Sequence, residues 1–104
     1  MTRIKDWKVE ELTKEQKEIH DTIISGPRGH VVGPLRIWLN NPGLAKSAQT
    51  VGAYARYGTC LSKGLSELAI IVTGRVWSAA FELDAQRQAA LAAGGVPVIT
   101  SSLV

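Results

Sequence analysis

The long apolar segment from Leu65 to Ala93 limits this chain more than any other feature. Leu68 to Val72 are apolar on every side, the pattern of a helix buried all round. Gly74 interrupts the run at a cost of about 1 kcal/mol relative to Ala. It marks a kink, a break into two helices or a close packing contact. Gly94-Gly95 closes the segment, and Pro97 follows.

The upstream residues read as further helices joined by short Gly/Pro loops. Thr13 and Gln16 have capping-box spacing, so a first helix is expected after Thr13. Leu12, Ile19, Ile23 and Ile24 give it an apolar stripe, and Gly26-Pro27 stops it. Lys14, Glu15, Lys17 and Glu18 form its solvated face. The loop "SGPRGHVVGP" carries His30; its glycines lack phosphate-loop spacing after a strand. "PLRIWLN" is a short helix with Leu35, Trp38 and Leu39 on one side. "PGLAKSAQTVGAYARYG" is the next, with Leu44, Ala48, Val51 and Ala55 expected inward and Gly58 as its C-terminal cap. Ala45, Ala48, Gly52 and Ala55 permit close helix contact. "VPVITSSLV" lacks helical periodicity and reads as an extended or disordered tail. The fold class is therefore all-α, with four or five helices.

With 104 residues the chain reads as one domain over 1–104. Residues 1–25 form an N-terminal helix region, 26–97 the core and 98–104 the irregular tail. A domain of this size buries only roughly 60–70% of its unfolded surface, so association would add stability. Twelve basic and nine acidic residues leave a net charge of +3. The basic residues are scattered, which argues against nucleic acid as a partner. Cys60 stands alone, so no internal disulfide or CxxC metal pair exists; it reads as a small buried hydrophobe. The N-terminus is charged throughout, unlike a signal peptide, and no apolar run reaches the ~18 residues of a membrane span. A soluble, cytoplasmic protein is expected, with no membrane partner.

Polar residues punctuate the apolar segment. On an unbroken helix Glu67, Ile71, Ser78 and Glu82 fall within about 60° of one another, with Gln86 at the edge of that sector. One reading is an acid/base site in which burial tunes a carboxylate. The other is structural: Glu67 caps the helix start, Glu82 pairs with Arg75 or another Arg, and Gln86 faces water.

Three stretches together resemble the carboxymuconolactone decarboxylase-like family, which is related to the alkylhydroperoxidase D-like proteins. They are "GPLRIWLNNPGLA", "YARYGTCLSKGLSELAIIVTGRVW" and "FELDAQRQAALAAG", and the similarity spans roughly Gly26 to Pro97. The resemblance implies an alkylhydroperoxidase D-like helical bundle assembled as a dimer, trimer or hexamer, with sites near subunit contacts. It implies a small-molecule substrate; neither a cofactor nor a metal is expected. By position, Glu67 falls on the acidic residue opening the family's long helix. Ala79 and Glu82 stand where the peroxidase branch has its two cysteines, and Gln86 stands where a His would be. A thiol peroxidase lacks its thiolates here. Relatives also continue through further helices, so the chain reads as shortened at its C-terminus, with apolar faces that favour association.

The leading expectation from the resemblance is a lyase acting on a small lactone carboxylate. Glu82 would transfer the proton, tuned by Glu67 and aided by Gln86 and His30. Arg56 or Arg75 would hold the substrate carboxylate, and Trp77, Phe81 and Tyr54 would form apolar walls. An amide cannot shuttle a proton near neutral pH, so Gln86 limits that chemistry. A catalytically inactive, oligomeric binding or structural module is the alternative. Peroxidase activity through Cys60 alone is the third reading.

Overall fold

A computed structural model describes residues 3–94, and among these every regular element is helical. The tail from Pro97 onward lies outside the described residues. The chain divides after Gly58 into two compact units.

The first unit holds α1 (Lys14–Ser25), α2 (Pro34–Trp38) and α3 (Pro42–Ala53), preceded by a short 3-10 turn at Val9–Glu11. The capping box at α1 forms as expected. The Gln16 amide donates to Thr13 Oγ1 at 3.3 Å, and the Thr13 amide donates to Gln16 Oε1 at 2.9 Å. The remaining end of Gln16 is used too: its buried Nε2 donates to the Leu39 carbonyl at 2.8 Å, tying α1 to the end of α2. Ile19, Ile23, Leu35, Leu39 and Ala45 form the core, flanked by Leu12, Val31 and Trp38. Each large aliphatic buried there contributes about 1.5–3 kcal/mol. Ile24, expected in the stripe, is exposed.

The inner face of α3 is rotated from the expected one. Leu44 is 50% exposed, Val51 69%, and Ala55 is exposed as well. Ala45 is buried instead, with Ala48 and Gly52 half-buried behind it. Small side chains let helix axes approach, and that gain outweighs burying the larger residues when the facing elements are near. Past Ala53 the helix widens into a π-helical turn, Tyr54–Gly58. Gly58 is not the left-handed cap expected of it, since among the described residues the glycines with positive φ are Gly29, Gly33 and Gly94. Its missing Cβ leaves room for the Tyr54 ring, whose Cδ2 would lie 2.8 Å from such an atom.

The segment ahead of α1 is strapped to α2. Trp7 Nε1 donates to Asn40 Oδ1 at 2.7 Å, and Asn40 Nδ2 donates to the carbonyls of Lys5 and Ile37. Arg36 pairs with Asp6 at 2.7 Å, and the Lys5 ammonium sits 3.8 Å from the Trp7 ring centroid.

The second unit is a helical hairpin of α4 (Lys63–Val76) and α5 (Ala80–Ala92). Ser62, not Glu67, caps α4: its Oγ accepts from the Leu65 amide at 3.3 Å. The apolar segment is not buried all round. Ile71 is buried with Leu83 and Ala90, while Ala69 and Val72 are exposed. Cys60, expected inside, is exposed in the turn before α4. Gly94, at φ +82, ends α5 as its sequence position predicts. No described helix is long and apolar enough to cross a membrane.

The break between α4 and α5 falls at Trp77–Ala79, not at Gly74. The Ala79 amide donates to the Gly74 carbonyl at 2.8 Å and the Ser78 amide to the Arg75 carbonyl at 3.2 Å. That is the Schellman pattern, which needs its first donor residue, the one just past the helix end, in the left-handed region. Ser78 fills that place at φ +53, the one non-glycine residue with positive φ among those described. Gly74 serves close packing, with the α5 residues Glu82 and Leu83 against it.

Candidate functional site

The break at Ser78 divides the polar stripe that an unbroken helix would carry. Glu67 and Ile71 stay together on the buried side of α4, and Glu67 is 0% exposed. Ser78 becomes an exposed turn residue, and Glu82 and Gln86 move onto α5. The Gln86 amide nitrogen donates to Glu82 Oε2 at 3.4 Å, one helical turn away, and both residues are half-buried. Gln86 therefore does not simply face water. Glu82 does not pair with Arg75, and it forms no ion pair among the described residues. Its place in the first turn of α5 matches the positive end of the helix, where Ala79 supplies no side-chain cap.

An open groove of about 320 Å³ runs along the hairpin. Ala69, Ile70, Thr73, Gly74 and Trp77 line it from α4, and Ala79 and Glu82 from the start of α5. Ala69, Thr73 and Trp77 recur every fourth residue, so they share one face of α4. Two small residues and Gly74 leave the hollow, and Trp77 bounds it, 80% exposed. Glu82 is the single charged residue of the lining. The Thr73 hydroxyl donates to the Ala69 carbonyl at 2.8 Å, so toward the groove it offers lone pairs only.

The remaining expected site residues lie elsewhere. Arg75 is exposed on the last turn of α4 and does not line the groove. Phe81 is exposed and is also outside the lining. His30 and Arg56 belong to the first unit. His30 is exposed in the loop between α1 and α2. Arg56 is half-buried in the π-helical turn, with its guanidinium 5.4 Å from the Tyr57 ring centroid. Arg28 approaches the same ring at 5.9 Å. That second guanidinium escapes sequence reasoning because Arg28 and Tyr57 are brought together only by the fold. Thr73 and Ala69 were also missed, although their four-residue spacing before Trp77 is a readable signal. Among the described residues, no three His, Cys, Asp or Glu side chains gather to hold a metal ion.

Comparison of the chain with protein-family models, curated proteins and solved structures gives no match.

Proposed function

We propose that this chain is a helical binding module whose ligand site is the α4–α5 groove, and that it works as a homo-oligomer. The observation that carries the reading is the groove lining: apolar and small residues around one carboxylate, with no cation. Pockets of roughly 300 Å³ with few polar groups suit small ligands. A lactone carboxylate would find no Arg or Lys there, and Glu82 would repel it. Association is supported by a separate line on α4. Leu65, Val72 and Val76 are exposed, Val76 by 73%. They fall within roughly 40° of one another and about 100° from the groove face.

The test is a titration with hexanol followed by backbone amide shifts. Thr73, Gly74, Trp77 and Glu82 are expected to move, and Ala69→Phe, which fills the groove, is expected to abolish the movement. Equal shifts in the filled variant would overturn the assignment. Sedimentation across a concentration series tests the oligomer, which Val76→Lys should weaken.

The lyase is the second reading, favoured by the contact between Gln86 and Glu82 and by Glu67 lying buried in the same unit. In that case Glu82→Gln abolishes decarboxylation of a lactone carboxylate. An unchanged rate removes the mechanism.

A further inference from the structure

We infer that the ligand of the α4–α5 groove is an organic cation, an amine or quaternary ammonium carrying a small apolar body. The inference rests on the groove being a binding site and names the chemistry that site selects.

The polar inventory of the groove is one-sided. Thr73 Oγ1 has committed its hydrogen to the Ala69 carbonyl. The Glu82 carboxylate accepts only; Oε2 takes one bond from Gln86, and Oε1 is left for a ligand. The exposed indole N–H of Trp77 is the one side-chain donor of the lining. The acceptors that face a ligand, Thr73 Oγ1 and Glu82 Oε1, favour a positive pole, whether it comes as N–H donors or as a quaternary ammonium.

Charge points the same way. Glu82 has no ion-pair partner among the described residues. The N-terminus of α5 brings about half a positive charge, which leaves the site negative. Trp77 adds an aromatic ring at the rim, the side chain that best attracts a cation through its quadrupole. The rest of the lining, Ala69, Ile70, Gly74 and Ala79, offers only apolar surface. Carboxylate, ring and apolar floor together complement an alkylammonium and disfavour an anion.

Three probes of matched body separate the possibilities: hexyltrimethylammonium, hexanol and hexanoate, each titrated while the Trp77 indole and Thr73 amide resonances are followed. The cation is expected to bind about tenfold tighter than the alcohol, the sum of an exposed ion pair and a cation–π contact. Hexanoate is expected to bind weakest. Glu82→Gln should remove a severalfold part of the cation's advantage over hexanol, the part that the carboxylate supplies. Trp77→Leu, which keeps an apolar wall, should remove a severalfold part of the cation preference. Should Glu82→Gln fail to fold by circular dichroism, the Trp77 variant decides. Hexanol binding as tightly as the cation overturns this inference and leaves the groove as a binding site. A cation preference that neither variant alters also overturns it. If no probe shifts either resonance, the binding-module reading fails and the inference fails with it.

Discussion

Gln86 holds Glu82 from one turn further along α5, nitrogen to oxygen at 3.4 Å. The contact is long for a hydrogen bond and joins a neutral donor to a charged acceptor. It positions the carboxylate beside the groove without neutralising it. Replacing Gln86 by Lys turns the pair into a Glu–Lys arrangement in the favourable order. That should stabilise the unit by about 0.3–0.5 kcal/mol, and salt should erode the gain. Gln86→Glu should cost a similar amount through like-charge repulsion. Urea melts at low and high salt check both signs.

Ser78 sits in the left-handed region, where a Cβ meets the following carbonyl oxygen. Ser78→Gly removes that clash and should raise stability by about 0.5–1 kcal/mol. Ser78→Val should lower it by more, because a β-branched residue tolerates this conformation poorly. Chemical denaturation of the three proteins gives the ranking, and a destabilised glycine variant contradicts the account of the turn.

Gly74 and Gly64 should answer differently to alanine. A Cβ on Gly74 would make ordinary contacts, 3.6 Å to Leu83 Cδ2 and 3.7 Å to Glu82 Cβ. Gly74→Ala should therefore gain about 0.5–1 kcal/mol from helix propensity. A Cβ on Gly64 would lie 3.2 Å from the Ala93 carbonyl oxygen, a backbone atom that yields reluctantly. Gly64→Ala should lose most or all of that gain. Thermal melts separate the two, and equal behaviour would show that α4 and α5 do not approach closely there.

Asp21 supplies a pH-dependent test in the first unit. The His20 ring, 3.1 Å away, holds its carboxyl below the ordinary Asp range, and Lys17 at 3.5 Å adds to this. A carboxyl depressed in the folded state contributes stability that is present above its unfolded value and lost as pH falls through its folded one. Side-chain carbon shifts should therefore place the Asp21 midpoint below that of an ordinary Asp. His20→Ala should bring it closer to ordinary. An unmoved midpoint would assign the depression to Lys17 instead.

Local signals in the sequence were legible, and signals that depend on a partner element were not. The Thr13–Gln16 box spans one turn and needs nothing else, so it reads directly. Leu35 and Leu39 also read correctly, since one turn of α2 decides which side they share. The face of α3 did not, because hydrophobicity points to Leu44 and Val51 while close approach selects Ala45 and Gly52. The turn at Ser78 has no glycine or proline to announce it, and Gly74 left a kink, a break and a close packing contact open, of which the packing contact is the one found. The candidate site suffered most from this. An unbroken helix would gather Glu67, Ser78 and Glu82, whereas the turn leaves Glu82 and Gln86 beside a groove that two helices create jointly.

The strap at Asn40 acts as a ruler for the residues ahead of α1. Lys5 to Trp7 are outside regular secondary structure, so no ladder of their own sets where they lie. Asn40 reads them through two marks of opposite sense, accepting from the Trp7 indole and donating to the Lys5 carbonyl. A slip of one residue would still offer Asn40 Nδ2 a backbone carbonyl, but it would take the Trp7 indole N–H away from Oδ1. The segment consequently has one alignment on α2, and the spacing between Lys5 and Trp7 is as much a part of the fold as either side chain.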